Sequence, residues 1–211
     1  SADRYLRFAF LTGVTKFSQV SVFSDLNQLN DISLDYSYAT VCGITRTELV
    51  ETFTPEIEEF GRINKLSAEE TVNKMARQYD GYHFHPKGDG VFNPFSVLNA
   101  CKSKILDNFW FQTGTPTYLV DLLKQSDYDL RLLIDGLEVG SSGFAEYRAE
   151  TKNPLPMIYQ SGYLTIKNFD KSLNLYTLGF PNDEVKYGFL KFLIPYYTPI
   201  SSDETDFNAV K

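Results

Sequence analysis

The sequence has 211 residues, a length that allows one large domain or two small ones. Hydrophobic residues make up 43% and charged residues 22% of the chain, a composition that excludes disorder for most of it. Twenty Lys and Arg against 27 Asp and Glu give a net charge of -7, which argues against binding a phosphate backbone mainly through bulk charge.

The chain contains no candidate for a membrane span or a secretory signal. Its longest segment without Asp, Glu, Lys or Arg has 14 residues, from Asn153 to Ile166, and two prolines interrupt it. The first residues lack a hydrophobic signal core. Cys42 and Cys101 are far apart in sequence and fit no metal-ligand spacing. We therefore expect a cytoplasmic location and two cysteines that act as small buried hydrophobic residues.

The first predicted element is an apolar run from Leu6 to Leu11 that ends at a Thr-Gly turn. This pattern is typical of a strand buried on both faces of a parallel sheet. Such a strand needs neighbours on both sides, and few other runs of this kind follow. We therefore expect a fragment or a reduced protein, whose strand is covered by its own chain, paired with a second copy, or left as an exposed edge.

Specific start signals predict the helices that follow. Capping boxes begin at Thr45 and Ser67, each with Glu three residues later. Two further helices carry proline at the first helical position, after Asn93 and Thr115. A last helix is expected to begin near Pro181, and the polar segment beyond residue 198 indicates a linker or tail.

A β-hairpin is predicted between residues 163 and 178. Its two halves, 163–166 and 173–178, are rich in β-branched and aromatic residues and flank a polar turn. With the helices, this hairpin predicts a fold that is mainly α with a small β component.

Motifs for nucleotide binding and catalysis are missing. The chain has no P-loop, no G-x-G-x-x-G and no acidic strand end typical of Walker B, so we do not expect ATP hydrolysis by this chain alone. His83 and His85, with Asp89 nearby, could form part of a metal site, but the chain has only two histidines, which favours an aromatic loop without metal. Residues 140–143 indicate a flexible Gly-Ser connection, and the Glu-rich segment 48–59 indicates a solvated helix face.

The aromatic segment that begins at Phe109 leads through a Thr-Gly-Thr-Pro turn into a helix start. Backbone N–H groups at that start could receive an anion. A core anchor followed by a helix cap is the simpler interpretation, because Thr-Pro helix starts need no ligand.

Seven short motifs occur in one order along the chain. They begin at Leu6, Leu29, Tyr79, Phe92, Trp110, Tyr159 and Tyr176. In this order they resemble the bacterial AAA-ATPase-like family over about residues 4–195. Members of that family carry the P-loop and Walker B strand in an N-terminal half. A PD-(D/E)xK nuclease-like domain commonly follows the C-terminal half.

The resemblance implies a domain organisation and a possible nucleotide sensor. Residues 1–44 correspond to the end of a P-loop-type α/β core, 45–195 to a helical lid and winged-helix-like hairpin region, and 196–211 to a linker or tail. Thr12 or Thr15 is similar to the residue that senses the γ-phosphate in AAA-type ATPases, with a plain Thr-Gly turn as the alternative. The resemblance implies ATP and magnesium for the full-length family, and no cofactor or metal for this chain.

Three functions remain open from the sequence. The resemblance favours a non-catalytic portion that couples nucleotide state to a partner, either a missing ATPase half or a nuclease-like module. The alternative is a winged-helix-like module for nucleic acid or protein, for which basic residues near the hairpin are Lys152, Lys167, Lys171, Lys186 and Lys191. An unrelated hydrolase has neither a triad nor a carboxylate pair to support it.

Overall fold

A computed structural model describes residues 5, 7–13, 30–113, 117–126, 129, 131–145 and 153–197. About half of these residues are helical, and their short strands form two small antiparallel sheets. The fold is therefore mixed α/β, mainly helical with a small β component, as the sequence predicts. The described residues contain no parallel sheet of the P-loop type.

The first half of the described fold is a helical layer closed by a two-stranded ribbon. Its helices are α1 (Arg46–Thr52), α2 (Thr54–Asn64), α3 (Ala68–Tyr79) and α4 (Pro94–Ser103). Strand β1 (Ile44–Thr45) pairs antiparallel with β2 (Val91–Phe92). The ribbon fixes the start of α1 against the start of α4.

The helix starts in this layer follow their local signals. The Thr45 hydroxyl accepts from the Glu48 amide at 3.2 Å, and the Glu48 carboxylate accepts from the Thr45 amide at 2.8 Å. Ser67 and Glu70 repeat the same reciprocal pair at the start of α3. The Asn93 side chain caps α4 ahead of its proline. Both capping boxes and the Asn-Pro start are confirmed.

The second half combines four helices with a three-stranded sheet. Its helices are α5 (Thr117–Ser126), α6 (Arg131–Asp135), α7 (Leu155–Gln160) and α8 (Asp183–Tyr197). Its strands are β3 (Leu137–Val139), β4 (Thr165–Asp170) and β5 (Leu175–Gly179), in the antiparallel order β3-β5-β4. The hairpin and last helix are confirmed. A helix follows the predicted Thr115-Pro116 start, which lies outside the described residues.

Two hydrophobic clusters divide the core. The helical cluster comprises Leu49, Ile57, Phe60, Val72, Met75, Tyr79, Phe92, Val97, Ala100, Cys101 and Phe109. The hairpin cluster comprises Leu119, Leu122, Leu123, Leu133, Phe144, Leu155, Met157, Ile158, Tyr163, Leu164, Ile166, Leu178, Val185, Phe189 and Leu193. The connection between the clusters therefore determines how the two halves of the fold are held together.

Two predictions about burial are wrong. Residues 7–13 form no strand, and Phe8, Phe10 and Leu11 are largely exposed. A strand needs a partner for its backbone groups, and none of the described strands pairs with this segment. Cys42 is also exposed, because it lies in the surface turn before β1, whereas Cys101 is buried as expected.

None of the described helices combines the length and the apolar character that a bilayer crossing requires.

Candidate functional site at the cluster junction

Two chain segments meet where the helical and hairpin clusters adjoin. One follows α3 (residues 80–83), and the other leads from β5 into α8 (residues 180–184). Gly81 has a φ of 98°, a conformation that favours glycine, and a Cβ at this position would collide with the carbonyl oxygen of Pro181. The absence of a side chain at Gly81 therefore allows the two backbones to approach closely. We name residues 80–83 and 180–184 the junction.

Asn182 performs two functions in the junction. Its side-chain oxygen accepts a 3.0 Å hydrogen bond from the amide of Val185, which caps α8. Its side-chain nitrogen donates a 3.0 Å hydrogen bond to the carbonyl of Asp80 at the end of α3. Because one buried side chain both starts α8 and contacts α3, the position of α8 is coupled to the helical layer.

Thr165, in the first position of β4, extends the junction on the hairpin side. Its hydroxyl accepts from the amide of His83 at 2.6 Å and donates to the carbonyl of His83 at 3.0 Å. The side chain of Thr165 is buried and satisfies both backbone groups of His83, as a neighbouring strand would. The segment after α3 is thereby attached to the edge of the hairpin.

Lys167 lies at an irregularity in β4, where the pairing register shifts between Ile166 and Asn168. Its ammonium group donates a 3.0 Å hydrogen bond to the carbonyl of Pro181. Burial lowers the pKa of Lys167, and the Asp80 carboxylate partly counteracts this effect. Burial likewise raises the pKa of Asp80, although the amide of Gly81 donates to it at 2.6 Å. Desolvation therefore exceeds the attraction for both members of this charge pair.

Glu184 is the most deeply buried charged group of the junction and has no exposed surface. One carboxylate oxygen accepts from the Ser96 hydroxyl of α4 at 2.7 Å, and the other accepts from the amide of Trp110 at 2.9 Å. Burial raises the pKa of Glu184 to about 6, and its hydrogen bonds to Trp110 and Ser96 oppose that rise.

An open cleft of about 370 Å³ lies beside the junction, between the last turn of α3 and the start of α8. Arg77 and Asp183 form a 2.6 Å salt bridge in its wall, and Lys186 also lines it. The cleft contains charged groups of both signs and no cysteine, serine or histidine that could act as a nucleophile.

Of the residues singled out from the sequence, His83, Lys167 and Lys186 lie at the junction or in its cleft, and the two candidate sensor threonines are not among its described residues. Thr12 lies in the exposed segment 7–13, and Thr15 lies outside the described residues. His83 contacts the carbonyl of Gly88 through Nδ1 at 3.1 Å, and His85 accepts from the amide of Lys87 at 3.1 Å. The described part of the chain contains no group of three or more His, Cys, Asp or Glu arranged to hold a metal.

Other sequence motifs have structural roles. Trp110 packs against Tyr163 with ring centroids 5.0 Å apart, in agreement with a core anchor, whereas the turn after it lies outside the described residues. Residues Ser141–Gly143 form a 3-10 turn. Glu51, Glu58 and Glu59 are exposed, as predicted for a solvated helix face.

Sequence reasoning missed the residues that form the junction. Asn182 and Glu184 stand in a Pro-Asn-Asp-Glu helix start, where a glutamate normally faces solvent. Ser96 and Thr165 lie within the motifs that begin at Phe92 and Tyr159, but those motifs assign neither side chain a contact. The only local signal was the Asn-x-x spacing of a cap, and it does not indicate the contact between Asn182 and Asp80.

Comparison with known proteins shows that this mixed α/β chain is similar in sequence to a longer protein. A protein of Azotobacter chroococcum mcd 1, described as "Uncharacterized protein in vnfD 5'region", is 34% identical to it over 203 residues. The match covers 94% of this chain and 36% of the relative, so the chain spans little more than a third of that protein. No family model and no solved structure matches the chain.

Proposed function

We propose that this chain is a non-catalytic portion of an AAA-ATPase-like protein of the cytoplasm. It couples the nucleotide state of an ATPase module to a partner or to an attached nuclease-like module. ATP and magnesium are bound by parts of the full-length protein outside this sequence. The observation that carries the proposal is the order of seven motifs, which spans nearly the whole chain. The match to a longer relative is what a portion of a larger protein would give.

The junction supports a coupling role. Hydrophobic clusters lie on either side of it, but the contacts across it are largely polar: Asn182 to Asp80, Thr165 to His83 and Glu184 to Ser96. Polar contacts between packed units are directional, so they can exchange one defined set of partners for another when the units shift. A change in nucleotide state can therefore be transmitted as a change in how α8 sits on α3 and α4.

The order of elements in the second half supports the winged-helix-like part of the proposal. Two helices, a short strand, one further helix and a two-stranded hairpin follow one another among the described residues, and the first strand pairs with the last. This strand order, β3-β5-β4, is the one that winged-helix folds use.

Nucleotide binding by the isolated chain is the first test. Isothermal calorimetry with ATP and magnesium is expected to give no tight binding, because the chain carries no P-loop. Tight, magnesium-dependent binding to the 211-residue chain would overturn the proposal that it is a non-catalytic portion.

Coupling itself is tested in the full-length Azotobacter relative by hydrogen exchange. We expect that protein to bind ATP with magnesium, and we expect the segment aligned with residues 180–184 to change its protection between the ATP and ADP states. Absence of ATP binding would contradict the family proposal. Equal protection in the two states would contradict the coupling proposal.

The alternative proposal is a winged-helix-like binding module, and one observation favours a protein partner over nucleic acid. Helix α7 occupies the position before the hairpin where winged-helix proteins carry their recognition helix. Most of α7 is buried, and it contains no Lys or Arg. Lys167 is engaged with Pro181, and Lys152 lies outside the described residues. Only Lys171, Lys186 and Lys191 therefore remain as described basic candidates near the hairpin.

Duplex DNA binding at low salt tests this alternative. We expect no measurable binding at about 50 mM salt, and no difference between the wild type and a triple variant Lys171→Ala, Lys186→Ala, Lys191→Ala. Salt-dependent binding that the triple variant loses would instead support the nucleic-acid form of the alternative.

A further inference from the structure

The carboxylate of Glu184 connects the two clusters, and it is not needed to begin helix α8. Asn182 already caps α8, so the helix start does not require the Glu184 carboxylate. That carboxylate instead accepts hydrogen bonds from Ser96 on α4 and from the backbone of Trp110. Breaking these two bonds would leave an ionised group buried without partners, which is strongly unfavourable.

We propose that Glu184 is a proton-sensitive latch: its protonation state sets how tightly α8 is docked on α4 and on the segment around Trp110. The inference goes beyond the proposed function and requires no nucleotide. It rests on the geometry of a fully buried carboxylate at the boundary between two hydrophobic clusters.

The groups around the latch do not neutralise its charge. Tyr79 from α3 and Tyr82 from the segment after it both experience the negative charge of Glu184, and burial holds the pKa of each tyrosine well above its ordinary value. Asp107 adds a second negative charge that repels the Glu184 carboxylate. From α4, Ser96 contributes a neutral hydroxyl. Asp183, the preceding residue of α8, is directed to Arg77 in the cleft.

The direction of the pH effect follows from these surroundings. Burial raises the pKa of Glu184 from its ordinary 4.5 to about 6, so the folded protein binds the proton more tightly than the unfolded chain. The contribution of Glu184 to stability is therefore greatest below pH 4.5 and decreases as the pH rises to 6. Docking of α8 is expected to be tighter at pH 5 than at pH 7.5.

The single tryptophan of the chain provides a local probe. Trp110 is the only Trp in the sequence, and its amide donates directly to Glu184. Urea unfolding followed by Trp fluorescence can therefore compare the wild type with Glu184→Gln, which keeps the shape of the side chain but cannot ionise. Glu58→Gln, at an exposed position of α2, is the matched control.

The expected result is a difference in pH dependence. Between pH 4 and pH 7.5 the unfolding equilibrium constant of the wild type should rise about thirty-fold more than that of Glu184→Gln, since 1.5 pKa units correspond to that factor. Glu58→Gln should reproduce the wild-type curve. The same pH dependence in wild type and Glu184→Gln would overturn the latch.

A second measurement avoids dependence on the variant. The carboxyl ¹³C resonance of Glu184 in the wild type should titrate with a midpoint near 6. The amide resonance of Trp110 should shift with the same midpoint, and its exchange rate, corrected for intrinsic chemistry, should rise as the pH increases from 4.5 to 6 and then level off. A Glu184 midpoint at or below 4.5, or a Trp110 amide that does not follow it, would overturn the proposal. Both outcomes are independent of nucleotide binding, so failure of the proposed function would leave them unchanged.

Discussion

The hydroxyl of Thr165 satisfies both backbone groups of His83, accepting from its amide at 2.6 Å and donating to its carbonyl at 3.0 Å. These residues are 82 positions apart in sequence and belong to different halves of the fold. A single buried side chain thus replaces a strand partner, and this makes the edge of β4 part of the junction.

Thr165→Val should destabilise the protein substantially. Valine has nearly the same shape but no hydroxyl, so the amide and carbonyl of His83 would lose their partners. An unsatisfied buried polar group costs about 1–3 kcal/mol, and we expect a loss of about 2–4 kcal/mol in the free energy of unfolding, measured in urea.

Thr165→Ser is the matched control, since it keeps the hydroxyl and removes one methyl group. Its expected cost is about 1 kcal/mol or less. Equal losses for the valine and serine variants would show that the methyl group, and not the hydrogen bonds to His83, determines the stability at this position.

Gly81→Ala should weaken the junction. The positive φ alone costs a residue with a Cβ about 1–2 kcal/mol, and that Cβ would also collide with the carbonyl of Pro181. Gly140→Ala is the control, because Gly140 has an ordinary negative φ and no atom within 4 Å of an added Cβ. Thermal melts should show a lower Tm for Gly81→Ala and an equal or slightly higher Tm for Gly140→Ala. An unchanged Tm for Gly81→Ala would contradict the close backbone approach.

Ser67→Ala should remove the capping box of α3 and cost about 1 kcal/mol at neutral pH, whereas Ser67→Asp should keep most of the cap. The Ser67 amide and hydroxyl lower the pKa of Glu70. This contribution is present above the ordinary carboxyl pKa and is lost as the pH falls through the lowered value. In chemical unfolding, the difference in the free energy of unfolding between wild type and Ser67→Ala should therefore be smaller at pH 3 than at pH 7. If this difference in the free energy of unfolding is the same at both pH values, the loss of stability in Ser67→Ala comes from the Ser67 hydroxyl alone and not from the Glu70 carboxylate.

The two cysteines should differ in reactivity. Cys42 is exposed, whereas Cys101 is buried in the helical cluster and burial raises the pKa of its thiol. Because the thiolate is the reactive form, a thiol reagent such as DTNB should modify one cysteine rapidly in the native protein and both in urea. The variant Cys42→Ser should abolish the fast phase. A fast phase that persists in Cys42→Ser would contradict the burial of Cys101.

The elements that could be predicted correctly have local causes. Thr45 with Glu48 and Ser67 with Glu70 form reciprocal hydrogen bonds within four residues, so the sequence alone specifies them. Asn93 before a proline acts in the same way. The hairpin is fixed by two runs of strand-forming residues around a polar turn, although its first strand begins two residues later than predicted, at Thr165.

The junction could not be predicted, because the contacts that join the two halves of the fold there connect residues distant in the chain. Glu184 meets Ser96 across 88 positions, and Asn182 meets Asp80 across 102. A Glu in the first turn of a helix is ordinarily solvated, whereas the tertiary contacts of α8, with Ser96 of α4 and the backbone of Trp110 among them, bury this one. The prediction of a strand from Leu6 to Leu11 was wrong for the converse reason. The composition of this segment favours a strand, but none of the described strands pairs with residues 7–13.

The amino-acid sequence by itself determined where most helices begin, where the hairpin lies and that the chain lacks a P-loop, since each of these depends on neighbouring residues. Only the tertiary structure decided which charges are buried. Desolvation depends on what packs against a side chain, and for Glu184 the contacting groups, Ser96 and the backbone of Trp110, lie 88 and 74 positions away in the chain.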